Sequence, residues 1–260
     1  MATARRLELY REEHGDGHPL LLITGLGYAI WSWQRQLPAW SERFRCIAVE
    51  NRGTGRSPKP PGPYSIEELA DDAAEALEGR RAHVAGFSMG GYVAQTLAVR
   101  RPELVERLVL ICTGTGGSGF LPTPATTTSA WEANAGRTPQ EFARATMPLS
   151  FRPGWTDEHP DEFEALLEDR LEHPTPPECW RAQFEACLDW AARVTPVEQI
   201  AAPTLVVHGD ADRVVHYENG VELAQRIPGS RFETFSGAGH LLFIEDAPRF
   251  NPMVASFLTG

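Results

Sequence analysis

The stretch that decides the fold is "VAGFSMGGYVAQTLAVRRP", residues 84–102. A short apolar run leads into Gly86, Ser88 and Gly90 follow at alternate positions, and a segment rich in alanine, leucine and valine comes next. Glycines two residues before and after the serine let a strand and a helix meet in a sharp turn without Cβ clashes. The pattern predicts a strand–turn–helix junction that presents Ser88 at a helix N-terminus, where the helix dipole favours a developing negative charge.

The apolar run before Ser88 is one of six similar runs. They are short, rich in β-branched residues or leucine, and bounded by Gly or Pro, which is typical of strands buried on both faces of a parallel sheet. The predicted strands are "PLLLITG" (19–25), "FRCIAVEN" (44–51), "AHVAGFS" (82–88), "RLVLICTG" (107–114), "PTLVVHGD" (203–210) and "SRFETFSG" (230–237).

The segments between these runs carry helix signals. In "SIEELADDAAEALEG", Ser65 and Glu68 form a capping box and Gly79 marks the end. The stretches "NGVELAQRIPG" and "APRFNPMVASFL" predict two later helices, and Pro252 is expected to interrupt the second. Strands that alternate with helices on this scale predict an α/β fold with a mostly parallel, doubly wound sheet.

Residues 114–195 break this alternation and are called the cap segment below. No strand pattern occurs there, prolines are frequent, and after a loop come the helical stretches "TPQEFARATM", "PDEFEALLEDRL" and "PECWRAQFEACLDWAARV". We expect a helical cap inserted between two strands of a core formed by residues 1–113 and 196–260. Its tryptophans either line an apolar pocket at the edge of the sheet or only pack the cap against the core.

Composition excludes several classes of function. The 260 residues carry a net charge of −11, whereas nucleic acids and anionic membranes attract basic clusters. The start "MATARRLELYREE" lacks the apolar core of a secretory signal, and the longest uncharged stretch is too short to span a bilayer. Four cysteines without Cys-x-x-Cys spacing predict free buried thiols and no metal site. We expect a cytoplasmic protein of unknown oligomeric state that binds a small molecule and neither nucleic acid nor membrane.

A second glycine turn, in "LLITGLGYAIWSW" (21–33), follows an earlier predicted strand. If Ser88 attacks a carbonyl group, the tetrahedral oxyanion needs two backbone N–H donors, and loss of one such donor typically costs roughly 3 kcal/mol. The candidate donors are the N–H groups of Leu26 and Met89. The alternative is that these glycines only turn the chain.

Five motifs, taken together and in order, resemble the α/β-hydrolase superfamily. They are "TGLG", "VENRGTGRS", "GFSMGG", "PTLVVHGDADRVV" and "SGAGHLLFIE", and they run through most of the chain. The resemblance implies an α/β-hydrolase fold with a helical cap, in which nucleophile, acid and histidine follow in this order. Its motifs look most like the enol-lactonase and small carboxylesterase branch. Thr24 departs from the family, which often has a histidine before the oxyanion glycine, so we expect a different pocket polarity but the same mechanism.

The resemblance also selects the catalytic histidine and acid. His240 lies in the glycine-flanked loop "SGAGHLLF" and is the implied general base, whereas His208 ends a buried strand and is expected to be structural. The family pattern His-Gly-x-x-Asp selects Asp212 as the acid. Asp210 directly follows the turn glycine and is expected to cap loop amides.

The implied function is hydrolysis of a small carboxylic ester or lactone by a Ser88–His240–Asp212 triad. His240 takes the Ser88 proton during attack, Asp212 holds the imidazole, and water then releases the acyl group without any cofactor. We expect an apolar or aromatic substrate. Its candidate contacts are Tyr28, Trp131, Phe151 and Trp155.

Other functions remain open on the same fold. Carbon–carbon bond hydrolases of the ring-cleavage type share the triad, but they usually carry a small polar residue and a tryptophan where this chain has Phe87 and Leu241. Cofactor-free haloperoxidases, non-hydrolytic biosynthetic enzymes and binding proteins are further alternatives. Haloalkane dehalogenases and epoxide hydrolases are disfavoured because they place an aspartate where Ser88 stands. The acidic excess of the cap segment argues weakly against strongly anionic substrates.

Overall fold

The computed structural model describes residues 7–260. Residues 1–6, part of the start that we expect not to be a secretory signal, lie outside the described residues. The strands are β1 (Arg11–His14), β2 (His18–Ile23), β3 (Phe44–Val49), β4 (Ala82–Phe87), β5 (Val105–Ile111), β6 (Thr204–Gly209) and β7 (Arg231–Phe235).

The seven strands form one sheet in the order β1-β3-β2-β4-β5-β6-β7. All neighbours pair in parallel except β1 and β3, which pair antiparallel. The predicted mostly parallel α/β sheet is therefore confirmed, and its six predicted strands correspond to β2–β7. Strand β1 was not predicted because its sequence, "REEH", is charged and lies at the edge of the sheet, where an apolar run is not needed.

Helices cover both faces of the sheet. They are α1 (Leu37–Trp40), α2 (Ile66–Ala76), α3 (Met89–Arg100), α4 (Ala125–Asn134), α5 (Pro139–Thr146), α6 (Trp155–Glu158), α7 (Pro160–Glu172), α8 (Pro177–Ala191), α9 (Tyr217–Arg226), α10 (Leu242–Glu245) and α11 (Ala247–Thr259). Ser65 and Glu68 form the predicted capping box at the start of α2. The expectation that Pro252 interrupts the last helix was wrong, since α11 continues through it to its end. A proline removes one backbone donor, and the buried face of α11 keeps the helix in place.

Helices α4 to α8 lie between β5 and β6, in the stretch that contains the cap segment. Helix α4 was not predicted, because "ATTTSAWEAN" is rich in threonine, whose branched side chain lowers helix propensity. No helix in residues 7–260 is long and apolar enough to cross a membrane.

The core consists of two apolar clusters, one on each face of the sheet. Along β2, Leu20 and Leu22 belong to one cluster, and Leu21 and Ile23 belong to the other, as the alternation of side chains along a strand requires. The loops that follow β2, β4, β6 and β7 leave the carboxyl ends of these parallel strands and meet at one edge of the sheet. In open α/β sheets, ligands bind at this edge.

Candidate active site

Ser88 stands on a strained turn between β4 and α3. Its φ of 55° and ψ of −124° lie where residues with a side chain are rarely found. A Cβ on Gly86 would strike the Gly90 carbonyl, and one on Gly90 would strike the carbonyl of Ile23. The Ser88 N–H donates to the Ile111 carbonyl at 2.9 Å. The sequence therefore holds the serine rigidly at the start of α3, as the glycine spacing predicts.

Asp212 and His240 form a buried pair in the loops after β6 and β7. The Nδ1 atom of His240 lies 2.8 Å from Oδ2 of Asp212. Because an ionised carboxylate only accepts hydrogen bonds, Nδ1 carries the proton and Nε2 is left as the basic atom of the neutral ring. The other carboxylate oxygen of Asp212 accepts the N–H groups of Val214 (2.7 Å) and Val215 (3.0 Å).

Asp212 also contacts His208, and the sequence did not predict this contact. Nε2 of His208 lies 3.2 Å from Oδ2 of Asp212 and 3.2 Å from the Val215 carbonyl oxygen. Burial acts to raise the pKa of Asp212, but the two imidazoles outweigh it and hold that pKa well below the usual range of an aspartate. Asp212 is therefore a carboxylate at neutral pH.

Glu245 supports the loop that carries His240 through hydrogen bonds to backbone amides. The Glu245 carboxylate accepts the N–H of Gly239 at 3.1 Å and the N–H of Arg152, in the cap segment, at 2.9 Å. The N–H of Leu241 donates to the Ser150 carbonyl at 2.8 Å. These bonds fix the residues on both sides of His240 and join that loop to the cap segment. Sequence reasoning did not identify Glu245, because a glutamate beside a turn carries no distinctive pattern.

The two amides predicted to bind an oxyanion lie on the turn after β2 and at the start of α3. In the first, the Tyr28 N–H donates to the Gly25 carbonyl at 3.2 Å, and Gly27 has a φ of +69°, so Leu26 is the first central residue of a tight turn. Met89 is the first residue of α3, where a backbone N–H has no partner within the helix.

A cavity of about 90 Å³, called the inner cavity, brings these groups together. Its walls include Ser88, His240, Leu26 and Met89. Of the predicted substrate contacts, Tyr28 and Trp131 line it. Phe151 and Trp155 do not line this cavity or the second one described below. They are buried and stack on each other at 4.2 Å between ring centres, where they pack the cap segment against the core.

A second cavity of about 370 Å³, called the outer cavity, is lined by the cap segment and by Gly27 of the core. The two cavities share a wall of four aromatic side chains and one arginine: Trp131, Phe142, Trp180, Phe184 and Arg170. The two cavities are therefore neighbours, separated by this aromatic wall.

Arg170 is a charged residue on the inner cavity that sequence reasoning missed. Its guanidinium lies over the ring of Tyr28, 4.8 Å from the ring centre. It makes no hydrogen bond and no ion pair with any residue in the described part of the chain. No aspartate or glutamate lines the inner cavity, and Glu132 is the one carboxylate on the outer cavity among residues 7–260. The wall shared by the two cavities therefore carries the positive charge of Arg170, with no ion pair from the described residues to neutralise it.

Two groups of side chains lie close enough to hold a metal ion, within the residues that the structure describes: His18, His83 and Glu106, and Cys112, His208 and Asp212. In the second group, burial raises the pKa of the Cys112 thiol well above its ordinary value, and a protonated thiol is a poor metal ligand. Both oxygens of Asp212 already accept hydrogen bonds. This group fits a hydrogen-bonded acid better than a metal centre.

Comparisons with known proteins find relatives that are hydrolases. A protein named "Putative carbamate hydrolase RutD" from Azorhizobium caulinodans is 29% identical over 253 residues, covering 96% of this chain and 94% of the relative. A 2-hydroxymuconate semialdehyde hydrolase from Pseudomonas sp. (strain CF600) is 30% identical over 269 residues, covering 95% and 88%. The crystal structure of the enol-lactonase from Burkholderia xenovorans LB400 superposes with a TM-score of 0.84 at 28% identity, covering 97% and 96%.

The family described as the alpha/beta hydrolase fold matches residues 18–247, which is most of the chain. Strands β2 to β7, the turn that carries Ser88 and the helical stretch between β5 and β6 all lie within this match. The protein is therefore a hydrolase that belongs to the alpha/beta hydrolase fold family.

Proposed function

We propose that this protein is a serine hydrolase that cleaves a small carboxylic ester or lactone. The observation that carries the proposal is the inner cavity, which is lined by both Ser88, on its strained turn, and His240, whose Nδ1 lies 2.8 Å from Asp212. In this proposal, residues 114–195 form the cap that closes the site.

The mechanism follows from the positions of the groups. Nε2 of His240 takes the proton of the Ser88 hydroxyl as its oxygen attacks the substrate carbonyl, and Asp212 stabilises the imidazolium that forms. The N–H groups of Leu26 and Met89 bind the oxyanion. His240 then gives the proton to the leaving oxygen, and water repeats the sequence on the acyl-enzyme to release the acid.

A fluorophosphonate probe tests the nucleophile. The wild-type protein should be labelled covalently, and Ser88→Ala should not be labelled while its circular dichroism spectrum is unchanged. A folded wild type that resists the probe would exclude Ser88 as an activated nucleophile.

The bond that is cleaved is tested with a substrate panel. We expect turnover of p-nitrophenyl esters of short and medium acyl length and of aromatic lactones, with Ser88→Ala as the background. A carbamate and a ring-fission diketone belong in the same panel, because relatives of this chain are named for those reactions. Faster turnover of the diketone than of every ester would replace our proposal with carbon–carbon bond hydrolysis.

Arg170 indicates that the substrate carries a negative charge beside its apolar part. A half-buried guanidinium without an acceptor loses hydration, and a ligand carboxylate would restore a charge-assisted hydrogen bond. The acidic excess of the cap segment does not bear on this point, because the cavity walls expose arginine and almost no carboxylate. We propose an ester or lactone with an aromatic or aliphatic body and one carboxylate.

Two matched esters and two variants test this proposal. The esters are a p-nitrophenyl monoester of a dicarboxylic acid and its neutral analogue of equal length. Arg170→Gln should raise KM for the charged ester about tenfold or more, since a hydrogen bond to a charged group contributes about 1.5–3 kcal/mol, and should leave the neutral ester unaffected. The control is Arg144→Gln, because Arg144 also lies in the cap segment but pairs with Glu164 on the surface. Equal changes in KM for both esters would show that Arg170 does not distinguish the charged substrate from the neutral one.

A further inference from the structure

Gln183, a buried residue of the cap segment, is bonded directly to the turn that carries the Leu26 amide. It lies on α8 and is 0% exposed. Its Oε1 accepts the N–H of Gly27 at 2.9 Å. Its Nε2 donates to the Arg52 carbonyl at 2.7 Å and to Oγ1 of Thr54 at 2.8 Å.

These three bonds leave the side-chain amide of Gln183 with one orientation. The Gly27 N–H needs an acceptor and the Arg52 carbonyl needs a donor, so exchanging the oxygen and nitrogen of the amide would break both bonds. Because the side chain is fully buried, water cannot replace a lost partner. Gln183 therefore joins α8, the turn after β2 and the loop after β3 at one point.

Three residues of the cap segment contact or closely approach Gly27. Besides the bond from Gln183, the Gly27 carbonyl accepts a hydrogen bond from Oγ1 of Thr175 at 3.4 Å. A Cβ placed on Gly27 would come within 2.7 Å of Cδ1 of Trp180, which shows how closely α8 approaches this turn. Gly27 follows Leu26 directly, so the cap segment adds a hydrogen bond to the peptide group after the proposed oxyanion donor, beside the turn's own bond from Tyr28 to Gly25.

We propose that Gln183 is a positioning residue that keeps the oxyanion turn in its working geometry. The Leu26 N–H is then aimed at the developing oxyanion only while α8 is seated on the core. This inference rests on the proposed function, because it assigns Gln183 a role in acylation of Ser88. A residue of this kind lowers the barrier of the chemical step without contacting the substrate, so its loss reduces kcat more than it changes KM.

The test compares Gln183→Met with a control that removes a different buried hydrogen bond of α8. Methionine has nearly the same length but cannot form the three bonds. The control is Thr96→Val on α3, which removes the acceptor of another buried hydrogen bond between α8 and the core, donated by Nε1 of Trp190 at 3.1 Å, and makes no bond to the turn after β2. The measurements are the rate of fluorophosphonate labelling, kcat and KM for one p-nitrophenyl ester, and the melting temperature.

We expect Gln183→Met to slow both labelling and kcat about ten- to a hundredfold, with KM nearly unchanged. Thr96→Val should lower the melting temperature but leave the labelling rate and kcat as in the wild type. Gln183→Glu should recover part of the lost rate, because a carboxyl oxygen can still accept the Gly27 N–H, although burying an acid lowers its melting temperature.

Three outcomes would overturn the inference. The first is wild-type labelling of Gln183→Met, and the second is an equal loss of rate in Gln183→Met and Thr96→Val. The third is a Gln183→Glu variant no faster than Gln183→Met. If Gln183→Met does not fold, Gln183→Asn takes its place, since its amide is one methylene too short to reach Gly27. A wild type that is not labelled at all contradicts the proposed function instead, so the two failures are distinguishable.

Discussion

At the scale of single residues, two aspartates two positions apart perform different tasks because of what surrounds them. Asp210 is exposed, and its Oδ1 accepts the N–H of Gly237 at 2.5 Å, which joins the loops after β6 and β7. The side chain of Asp212 is fully buried and its two oxygens bind two backbone amides and two imidazoles. Only Asp212 can fix the tautomer of His240.

Asparagine substitutions at the two positions should therefore differ in their effect on kcat. In Asp212→Asn, a side-chain NH₂ facing His240 would force Nδ1 to accept, which places the proton on Nε2 and removes the base. We expect kcat to fall by about three to four orders of magnitude. Asp210→Asn keeps an oxygen for the Gly237 N–H, so its kcat should stay within a few-fold of wild type. Similar kcat losses in both variants, measured on the best ester of the panel, would contradict this assignment of the acid.

Residues whose role depends on their tertiary contacts could not be identified from the sequence. Ser88 and Asp212 stand out because the turns that carry them have local patterns of glycine and histidine. Arg170 and Gln183 lie in ordinary amphipathic helices, and nothing in their neighbours distinguishes them from solvent-facing residues. Their importance comes from what they meet across the cap, namely the Tyr28 ring and the Gly27 amide.

At the scale of elements, prediction succeeded where burial on both faces leaves a strong apolar run. Strands β4 and β6 are buried along their whole length, and both were predicted to within a residue or two of each end. Strand β1 and helix α4 were missed because each is stabilised by its neighbours more than by its own composition. Pro252 misled for the same reason, since the packing of α11 outweighs one missing backbone hydrogen bond.

At the scale of the whole molecule, the net negative charge of the chain differs in sign from the charge of the cavity walls. The chain carries a net charge of −11, yet the walls of both cavities expose arginine with a single carboxylate within the described residues. Most arginines of the surface pair with a nearby acid, as Arg144 does with Glu164, whereas Arg170 does not. Net charge argues against polyanionic partners but does not describe the charge of the site.

The stability of the whole molecule in acid should depend strongly on one histidine in the middle of the sheet. His83 lies on β4, is 4% exposed, and its Nδ1 has no partner among the described residues. Burial lowers the pKa of His83 to about 4, and the nearby His18, Arg107 and Arg81 act in the same direction against Glu106. In the unfolded chain a histidine has a pKa of about 6.5.

Between these two values the unfolded chain binds a proton that the folded one does not, so the free energy of unfolding falls as the pH falls from about 6.5 to about 4. The loss of unfolding free energy attributable to His83 is at most about 3 kcal/mol, and it is absent above pH 7.

His83→Phe should keep the ring packing against Phe44 while abolishing this part of the acid sensitivity. Urea unfolding at several pH values between 7.5 and 4.5 measures the slope. His173→Gln is the control, since it removes an exposed histidine of the cap segment and should leave the wild-type slope. An unchanged slope in His83→Phe would show that the acid sensitivity arises from other groups.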